Sequence, residues 1–558
     1  MLTPAVPLTG EGRAAAAVHL AGTPGWREAA AEGVTLHHKG YLYGRDFAAV
    51  AAAFAACDGR ADIARLLHDL DGHFALIAVG PAWTVAAVDR CRTIPLYWCE
   101  GPGRVEIGAH APNLAERCGL DDVDAVAARA IAMAGYTIGT DTLYRGLAML
   151  GPGQALFVAA DDGPPERLRY HRYEPWAVTE SESPELSRRL AEVTLGILSK
   201  MADSADGRTI AVPLSAGLDS RLVAAGLKHI GYPNVKCFAY GLPGNYEAAA
   251  SRKIAAALGF DWRFVPLTPA SQRRHFASAE RRAYLAQADS LCSSPFSQDL
   301  SALRALLDDG FIPPDAVMAN GNSGDFISGL HILPALRTPR ADRTPAERED
   351  TILDAAIGKH FRLWQDLATP ENDGAVRDRL RRVLREEDLA PDDPACNHGI
   401  YEFLEFQDRQ SKYVISGQRI YEFLGLDWRL PLWDGAYLDF WQGVPLPAKA
   451  GQALYRSMLL EENWGGVWQG WDFARTVSPA WLRPVRWAAK AAHAPLGRDR
   501  WHRFERRWFG YWMDVMANHA VVPYGRVARD RRGARHAVSW LTEAYLNGKG
   551  LGYDGRPL

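Results

Sequence analysis

Two hydroxyls, a glycine and a carboxylate fall within six residues of this chain: Ser215, Gly217, Asp219 and Ser220, inside the stretch Thr209–Arg221 (TIAVPLSAGLDSR). Hydroxyls can donate to phosphate oxygens, and a glycine lets backbone N–H groups approach them closely. A carboxylate in the same loop would repel a bare phosphate, so Asp219 makes sense with a divalent cation such as Mg²⁺ between the two. A second group lies further along, in Val317–Ile332 (VMANGNSGDFISGLHI), where Asn320, Gly321, Asn322 and Asp325 follow an apolar run. Two carboxylates from separate loops suit a cation that stays largely hydrated and is shared with phosphates. The structural alternatives are plain ones: a strand–turn–helix corner for the first stretch and a turn with a capping aspartate for the second.

Such residues need elements to hold them. Thr209–Leu214 is an apolar run that predicts a buried strand. From Leu222 a helical pattern follows, with Val223, Leu227 and Ile230 on one face and Gly231 as a stop. A second strand is expected over Asn234–Tyr240, ending in Gly241. A helix then covers Tyr246–Leu258, stopped by Gly259, and a third strand covers Trp262–Leu267. This alternation with short connections predicts a doubly wound parallel sheet, which binds ligands at the carboxyl ends of its strands. Leu214–Ser220 (with Ala216 and Leu218) and Phe238, Tyr240 and Gly241 then share one rim. Upstream, Ser183-Pro184-Glu185 reads as a helix start, with Leu186, Leu190, Val193, Ile197 and Met201 as its apolar stripe. The polar, turn-prone stretch Pro175–Pro184 before it reads as a linker.

The chain has 558 residues, 48% of them hydrophobic, and a formal net charge of −3. That length implies several domains, and the balanced charge argues against a nucleic-acid partner. The cysteines at 57, 91, 99, 118, 237, 292 and 396 have no metal-like spacing and read as reduced. The opening MLTPAVPLTGEGR lacks a basic-then-apolar leader pattern, and no uncharged apolar run approaches the ~18 residues of a membrane span. A cytoplasmic protein is the expectation.

Before the linker the text is punctuated by Gly, Asp and Pro: HHKGYLYG from His37, a helical stretch at Phe47–Cys57, then Asp69–Gly80 and Thr84–Trp98. Short strands of this kind suggest stacked antiparallel sheets with flanking helices. Beyond the linker half, Trp481–His536 mixes many arginines with Trp487, Trp501, Trp508 and Trp512. Basic residues interleaved with aromatics can bind anionic polymers, nucleic acid or a membrane surface, and a lipid-linked or polymeric acidic sugar is the expected partner. The alternative is an amphipathic helical cap with snorkelling arginines.

The central loop is neither a Walker loop nor a dinucleotide fingerprint. Ser215-Ala216-Gly217-Leu218-Asp219-Ser220 resembles the pyrophosphate-binding S-G-G-x-D-S loop of the asparagine synthetase (glutamine-hydrolysing) family, with Ala216 in place of one glycine. Phe238-Ala239-Tyr240-Gly241 resembles that family's adenine-contacting F-S-x-G. Gly321–Phe326 stands where the family has G-E-G-x-D-E, with Asp325 at the second Mg²⁺ carboxylate, Asn322 at the first glutamate and Phe326 at the last acid. Arg429-Leu430-Pro431-Leu432-Trp433-Asp434 resembles R-x-P-F-L-D, whose arginine helps line the site. For the family's pyrophosphate lysine, Lys449, Arg475 and Lys490 are all candidates.

In the first third, Asp71–Ala75, Asp89-Arg90, Pro95–Tyr97, Leu150–Gly153 and Tyr170–Tyr173 resemble segments of the family's glutaminase domain. That chemistry needs a cysteine as the first residue, its α-amino group acting as base. Position 2 is Leu2, the first cysteine is Cys57, and the R-G-P-D and N-G-E segments that grip glutamine are missing.

The resemblance therefore implies an N-terminal Ntn-type αββα sandwich (1–175) with a degenerate glutaminase site. After it come a doubly wound ATP-pyrophosphatase domain (185–478), of adenine nucleotide α-hydrolase type, and a basic aromatic helical extension (479–558). It implies an ATP- and Mg²⁺-dependent amide-forming ligase in which Asp219, Asp325 and Arg429 serve the chemistry. A carboxylate would be activated as acyl-adenylate with release of pyrophosphate, then passed to ammonia or an amine. GNSGDFISG resembles homologues of bacterial polysaccharide clusters more than the amino-acid enzymes, which implies a uronic acid or another small-molecule or glycan carboxylate. An intramolecular cyclase of β-lactam or lasso-peptide type and a non-catalytic nucleotide-binding relative are the competing readings.

Overall fold

A computed structural model describes residues 16–101, 103–160, 163–471 and 473–558. Leu2 and the opening stretch lie outside the described residues.

Strands β1 (Ala16–His19), β2 (Arg27–Ala31), β3 (Val34–Leu42), β4 (Gly72–Val79), β5 (Trp83–Val88), β6 (Tyr97–Gly101), β7 (Arg104–Gly108), β8 (Ala148–Met149), β9 (Gln154–Ala159) and β10 (Glu166–Arg169) build two sheets. One runs β1-β7-β6-β8 and the other β10-β9-β5-β4-β3-β2. Alternation along each strand decides what faces what. Ala75, Ile77, Ala86 and Val88 of the larger sheet share a core with Val105 and Ile107 of the smaller. The intervening residues Phe74, Leu76, Val85 and Ala87 bury instead against helices α1 (Phe47–Ala55) and α2 (Arg60–His68). Helices α3 (Ala111–Arg117) and α4 (Ala125–Ala134) cover the outer face of the smaller sheet. The layering is αββα, as expected.

Helix α5 (Pro184–Ala205) begins at the expected proline and buries Leu186, Leu190, Ile197 and Met201. It leads into a wholly parallel sheet of β11 (Ile210–Pro213), β12 (Val235–Gly241), β13 (Asp261–Pro266), β14 (Val317–Ala319) and β15 (Asp427–Arg429). Its order is β13-β12-β11-β14-β15. The chain direction across the sheet reverses between β11 and β14, and a doubly wound sheet opens a crevice at such a reversal. Helices α6 (Asp219–His229) and α7 (Tyr246–Leu258) link the first three strands.

The halves are joined by ion pairs. Lys200 binds Asp71 at 2.8 Å, Lys39 binds Glu422 at 2.7 Å, and Arg90 binds Asp439 at 3.0 Å. The C-terminal stretch is not a loose tail. Trp540 and Leu546 of its last helix share a core with Ile131 of α4 and Trp364, while Leu482, Trp501 and Phe509 form a small separate cluster. Among the described residues no helix is long and apolar enough to cross a membrane.

Candidate active site

Strand β11 is buried and ends abruptly in a loop folded on itself. The Ser215 amide donates to Ser220 Oγ at 3.0 Å, the Gly217 amide donates to Ser215 Oγ at 3.1 Å, and the two hydroxyl oxygens lie 3.1 Å apart. Arg221 braces the loop from behind by donating to the Ala216 carbonyl at 2.7 Å. No side chain caps the start of α6, so its positive end faces the loop with Asp219 in the first turn.

The loop after β14 presses against this one. A Cβ on Gly321 would sit 2.7 Å from the Ser220 nitrogen, and one on Gly324 would sit 2.6 Å from Asp219 Oδ1. Only glycine permits that approach. It lets the Asp325 amide donate to Asp219 Oδ2 at 2.9 Å, while the Tyr455 hydroxyl donates to Oδ1 at 3.1 Å. Burial and the neighbouring Asp325 charge push the Asp219 carboxyl up to about 7. Burial works in the same direction on Asp325, but His331, 3.2 Å away, and Arg409 hold it below the usual range.

His331 belongs to a network that sequence reasoning missed. Its Nδ1 meets Glu405 Oε1 at 2.5 Å, and the same buried carboxylate receives His360 at 3.1 Å, Arg409 at 3.2 Å and Lys359 at 3.3 Å. These partners outweigh burial and hold Glu405 well below the usual range. His331 is raised, because its two carboxylate neighbours overcome burial. Glu405 ends the helix Asn397–Glu405, which continues as a π-helical stretch over Phe406–Val414. The Glu405/Arg409 spacing was the available signal.

Between the two loops and β12 lies a cleft of about 270 Å³ lined by Leu214, Ser215, Gly217, Asp219, Ser220, Phe238, Tyr240, Asn320, Gly321 and Asn322. Ten of the expected positions thus meet in one place. Ala216 and Leu218 face a neighbouring cavity of about 510 Å³, which shares Ser215, Gly217 and Glu247 with the cleft and brings in Arg221, Arg456 and Arg475. Gly241 sits behind the rim, where an added Cβ would meet the Val515 carbonyl at 2.8 Å.

Arg429 is not brought to the cleft. Its guanidinium donates to Ser204 Oγ at 2.9 Å and lies 4.0 Å from the centre of the Tyr41 ring, so it joins the two halves of the chain. Of the lysine candidates, Lys449 is fully buried, 2.9 Å from Glu402 and 3.2 Å from the Tyr173 hydroxyl. Lys490 is on an exposed helix of the extension, and Arg475 alone of the three lines a cavity beside the loop.

Asp219 and Asp325 fit a divalent cation chemically. They are two oxygen donors, and their mutual repulsion is part of what raises Asp219; a cation would offset it. A second cluster of ligand types, His73, Asp89 and Cys91, is already satisfied. His73 lies 2.6 Å from the Tyr41 hydroxyl and 3.1 Å from the Trp433 carbonyl, which Cys91 also meets at 3.4 Å. Asp89 accepts the Phe74, Cys91 and Thr93 amides, and burial lifts the Cys91 thiol well above its usual range.

No curated protein sequence matches the chain. Among solved structures, glutamine phosphoribosylpyrophosphate (PRPP) amidotransferase from B. subtilis, complexed with ADP and GMP, is 11% identical. It aligns over 54% of this chain and 64% of its own, with a TM-score of 0.19. A structure described as the allosteric regulatory enzyme of purine biosynthesis is 11% identical over 53% of this chain and 56% of its own, with a TM-score of 0.18. The chain thus spans less than two thirds of either, and likenesses this slight carry no argument. The sequence itself is more specific: residues 203–461 match the asparagine synthase family model. Both loops of the cleft lie inside that match, so the middle of the chain is similar to the asparagine synthase family.

Proposed function

We propose that the protein is an ATP-dependent amide-forming ligase that activates a carboxylate as an acyl-adenylate. The observation that carries this reading is the pairing of Asp219 with Asp325 across two glycine-tight loops at the reversal of a parallel sheet. Mg²⁺, held by Asp219 and Asp325, would supply charge neutralisation for the phosphates. The Ser215–Ser220 loop and the start of α6 would bind the β- and γ-phosphates, with Phe238 and Tyr240 beside the base. A carboxylate oxygen attacks the α-phosphorus, the bond from phosphorus to the bridging oxygen breaks, and pyrophosphate leaves with the electron pair. Ammonia or an amine then takes the acyl group and AMP departs. Arg456 and Arg475, in the cavity adjoining the loop, are placed to receive the pyrophosphate charge.

The glutaminase site is inactive in this reading. Asp71 and Arg90, in segments that resemble that site, are committed to Lys200 and Asp439 of the other half, and Cys91 is buried with its thiol on a carbonyl. External ammonia or an amine is the nitrogen source, and the cytoplasm is the expected compartment. A peripheral contact with an anionic surface belongs to the same proposal, since Trp481 and Trp487 are 58% and 74% exposed near Arg483 and Lys490.

Carboxylate-dependent exchange of labelled pyrophosphate into ATP tests the reading. Exchange that appears with one class of acid and vanishes in Asp219→Ala supports it. A full panel of acids without exchange, in a protein that binds ATP, would leave a non-catalytic nucleotide-binding relative. Product mass separates amidation from ring closure.

A further inference from the structure

A cavity of about 550 Å³ is built mainly by the C-terminal stretch, beyond the part that matches the family model. It shares Gln298 and Met516 with the nucleotide cleft, so a ligand in it abuts a nucleotide in the cleft. It shares no lining residue with the arginine-bearing cavity on the other side of the loop. An in-line displacement at the α-phosphorus needs two such sides, one for the attacking oxygen and one for the leaving group.

Its charge is one-sided. Arg503, Arg506, Arg507, Arg531 and Arg535 all line it, against the acids Asp514 and Asp530. Both acids are already engaged: Asp514 accepts from the His519 ring and amide at 2.9 and 2.8 Å, and Asp530 accepts from Arg532 at 2.6 Å. Arg507 and Arg535 donate to the carbonyls of Ala528 and Lys359, both at 2.7 Å, which leaves their charge unopposed. Arg503, Arg506 and Arg531 donate to no protein acceptor among the described residues, and all three are exposed. Met513, Met516, Val527 and Trp540 supply an apolar wall.

The cavity is also anchored. The Leu242 amide, at the end of β12, donates to the Val515 carbonyl at 2.7 Å, and the Arg535 amide donates to the Leu363 carbonyl at 2.9 Å. These backbone bonds hold the segments that carry the arginines, and guanidiniums recognise planar or tetrahedral anions through paired N–H groups.

We infer that this cavity seats the acyl substrate, and that it selects an acid carrying a second anionic group (a phosphate, phosphodiester or further carboxylate) besides the carboxylate that is activated. The inference rests on the ligase reading for its chemistry, but binding can be tested apart from it. One carboxylate alone would leave most of the arginines unpaired. A second anion held by them directs the reacting carboxylate past Gln298 and Met516 toward the α-phosphate.

The test uses the full chain and Arg503→Gln, Arg506→Gln and Arg531→Gln, which remove no bond to the protein. Calorimetry without ATP measures binding of glucuronic acid, UDP-glucuronic acid, UDP-glucose and a galacturonic acid oligomer. Pyrophosphate exchange is run on the same acids. Multiply charged acids should bind and support exchange better than glucuronic acid. Each arginine lost should raise their dissociation constant and KM about tenfold, with the KM for ATP unchanged. UDP-glucuronic acid against the oligomer distinguishes a phosphate from a carboxylate as the second anion. Equal binding by wild type and variants, or equal use of singly charged acids, overturns the inference while the ligase reading stands. Arginine-dependent binding without exchange on any acid overturns the ligase reading and the acyl role together.

Discussion

The Asp325 amide donates to Asp219 Oδ2 at 2.9 Å, across 106 residues of sequence. That bond fixes how far apart the two carboxylate-bearing loops can lie, and it places one half-buried acid beside another with His331 and Tyr455 as the compensating neighbours.

The pH dependence follows from Asp219. Its folded-state value, about 7, lies above the ~4 of an unfolded aspartate. Between those values the folded chain binds more protons, so this group's contribution to stability falls as pH rises from ~4 toward 7. Mg²⁺·ATP requires the ionised form, so its affinity should rise over the upper part of the same window and its binding should release protons. Thermal unfolding against pH, with calorimetry in buffers of different ionisation enthalpy, reads both effects. Asp219→Asn should flatten the stability slope and abolish Mg²⁺-dependent nucleotide binding. An unchanged slope in that variant would place the titration elsewhere.

Gly321 and Gly324 permit the same contact. A methyl group at either must displace the Ser220 backbone or the Asp219 carboxylate, an overpacking that costs roughly 1–3 kcal/mol. Gly321→Ala should weaken Mg²⁺·ATP binding about tenfold or more while the far-UV circular dichroism spectrum stays as in wild type. Wild-type affinity in both alanine variants would mean that the loops separate freely.

The sheet and the meeting of its rim loops in one cleft were legible because their signals are local. Apolar runs ending in small polar residues mark strand ends, and ends on one rim meet in space whatever lies between them. Arg429 shows where local reading stops. It ends β15 on the rim of the same sheet, yet its side chain turns to Ser204 and Tyr41, and Tyr41 comes from the other half of the chain. Most of the Glu405 network was hidden for the same reason: His331 and the neighbours Lys359 and His360 come from segments distant from Glu405 and Arg409. The arginines of the C-terminal stretch were visible as composition. Their convergence on one cavity depends on how residues 503–540 dock against Leu242 and Leu363.

Lys449 and Glu402 form a fully buried pair at 2.9 Å. Burial is the largest influence on each, lowering Lys449 and raising Glu402. Removing one partner strands the other charge, so Lys449→Met should cost roughly 3–5 kcal/mol in urea unfolding. Adding Glu402→Gln should recover much of that loss. A stable Lys449→Met protein that loses turnover alone would instead return this lysine to the pyrophosphate.

The exposed face of the extension makes the remaining prediction. Trp481 caps the start of the helix Leu482–His493 and Trp487 lies within it, with Val485 also exposed and Arg483 and Lys490 on the same short segment. Indole rings settle at a lipid headgroup boundary, and each basic residue near an anionic surface adds about 1 kcal/mol. The wild-type chain should therefore co-sediment with phosphatidylserine-containing vesicles, less so as salt is raised, and weakly with neutral vesicles. Trp481→Ala/Trp487→Ala should lower vesicle binding at least about tenfold, by the loss of two interfacial aromatics. Pyrophosphate exchange on a soluble acid should be unaltered, because neither residue lines the cleft or the arginine cavity. Vesicle binding indifferent to lipid charge and to both substitutions would leave this face as plain solvent-exposed surface.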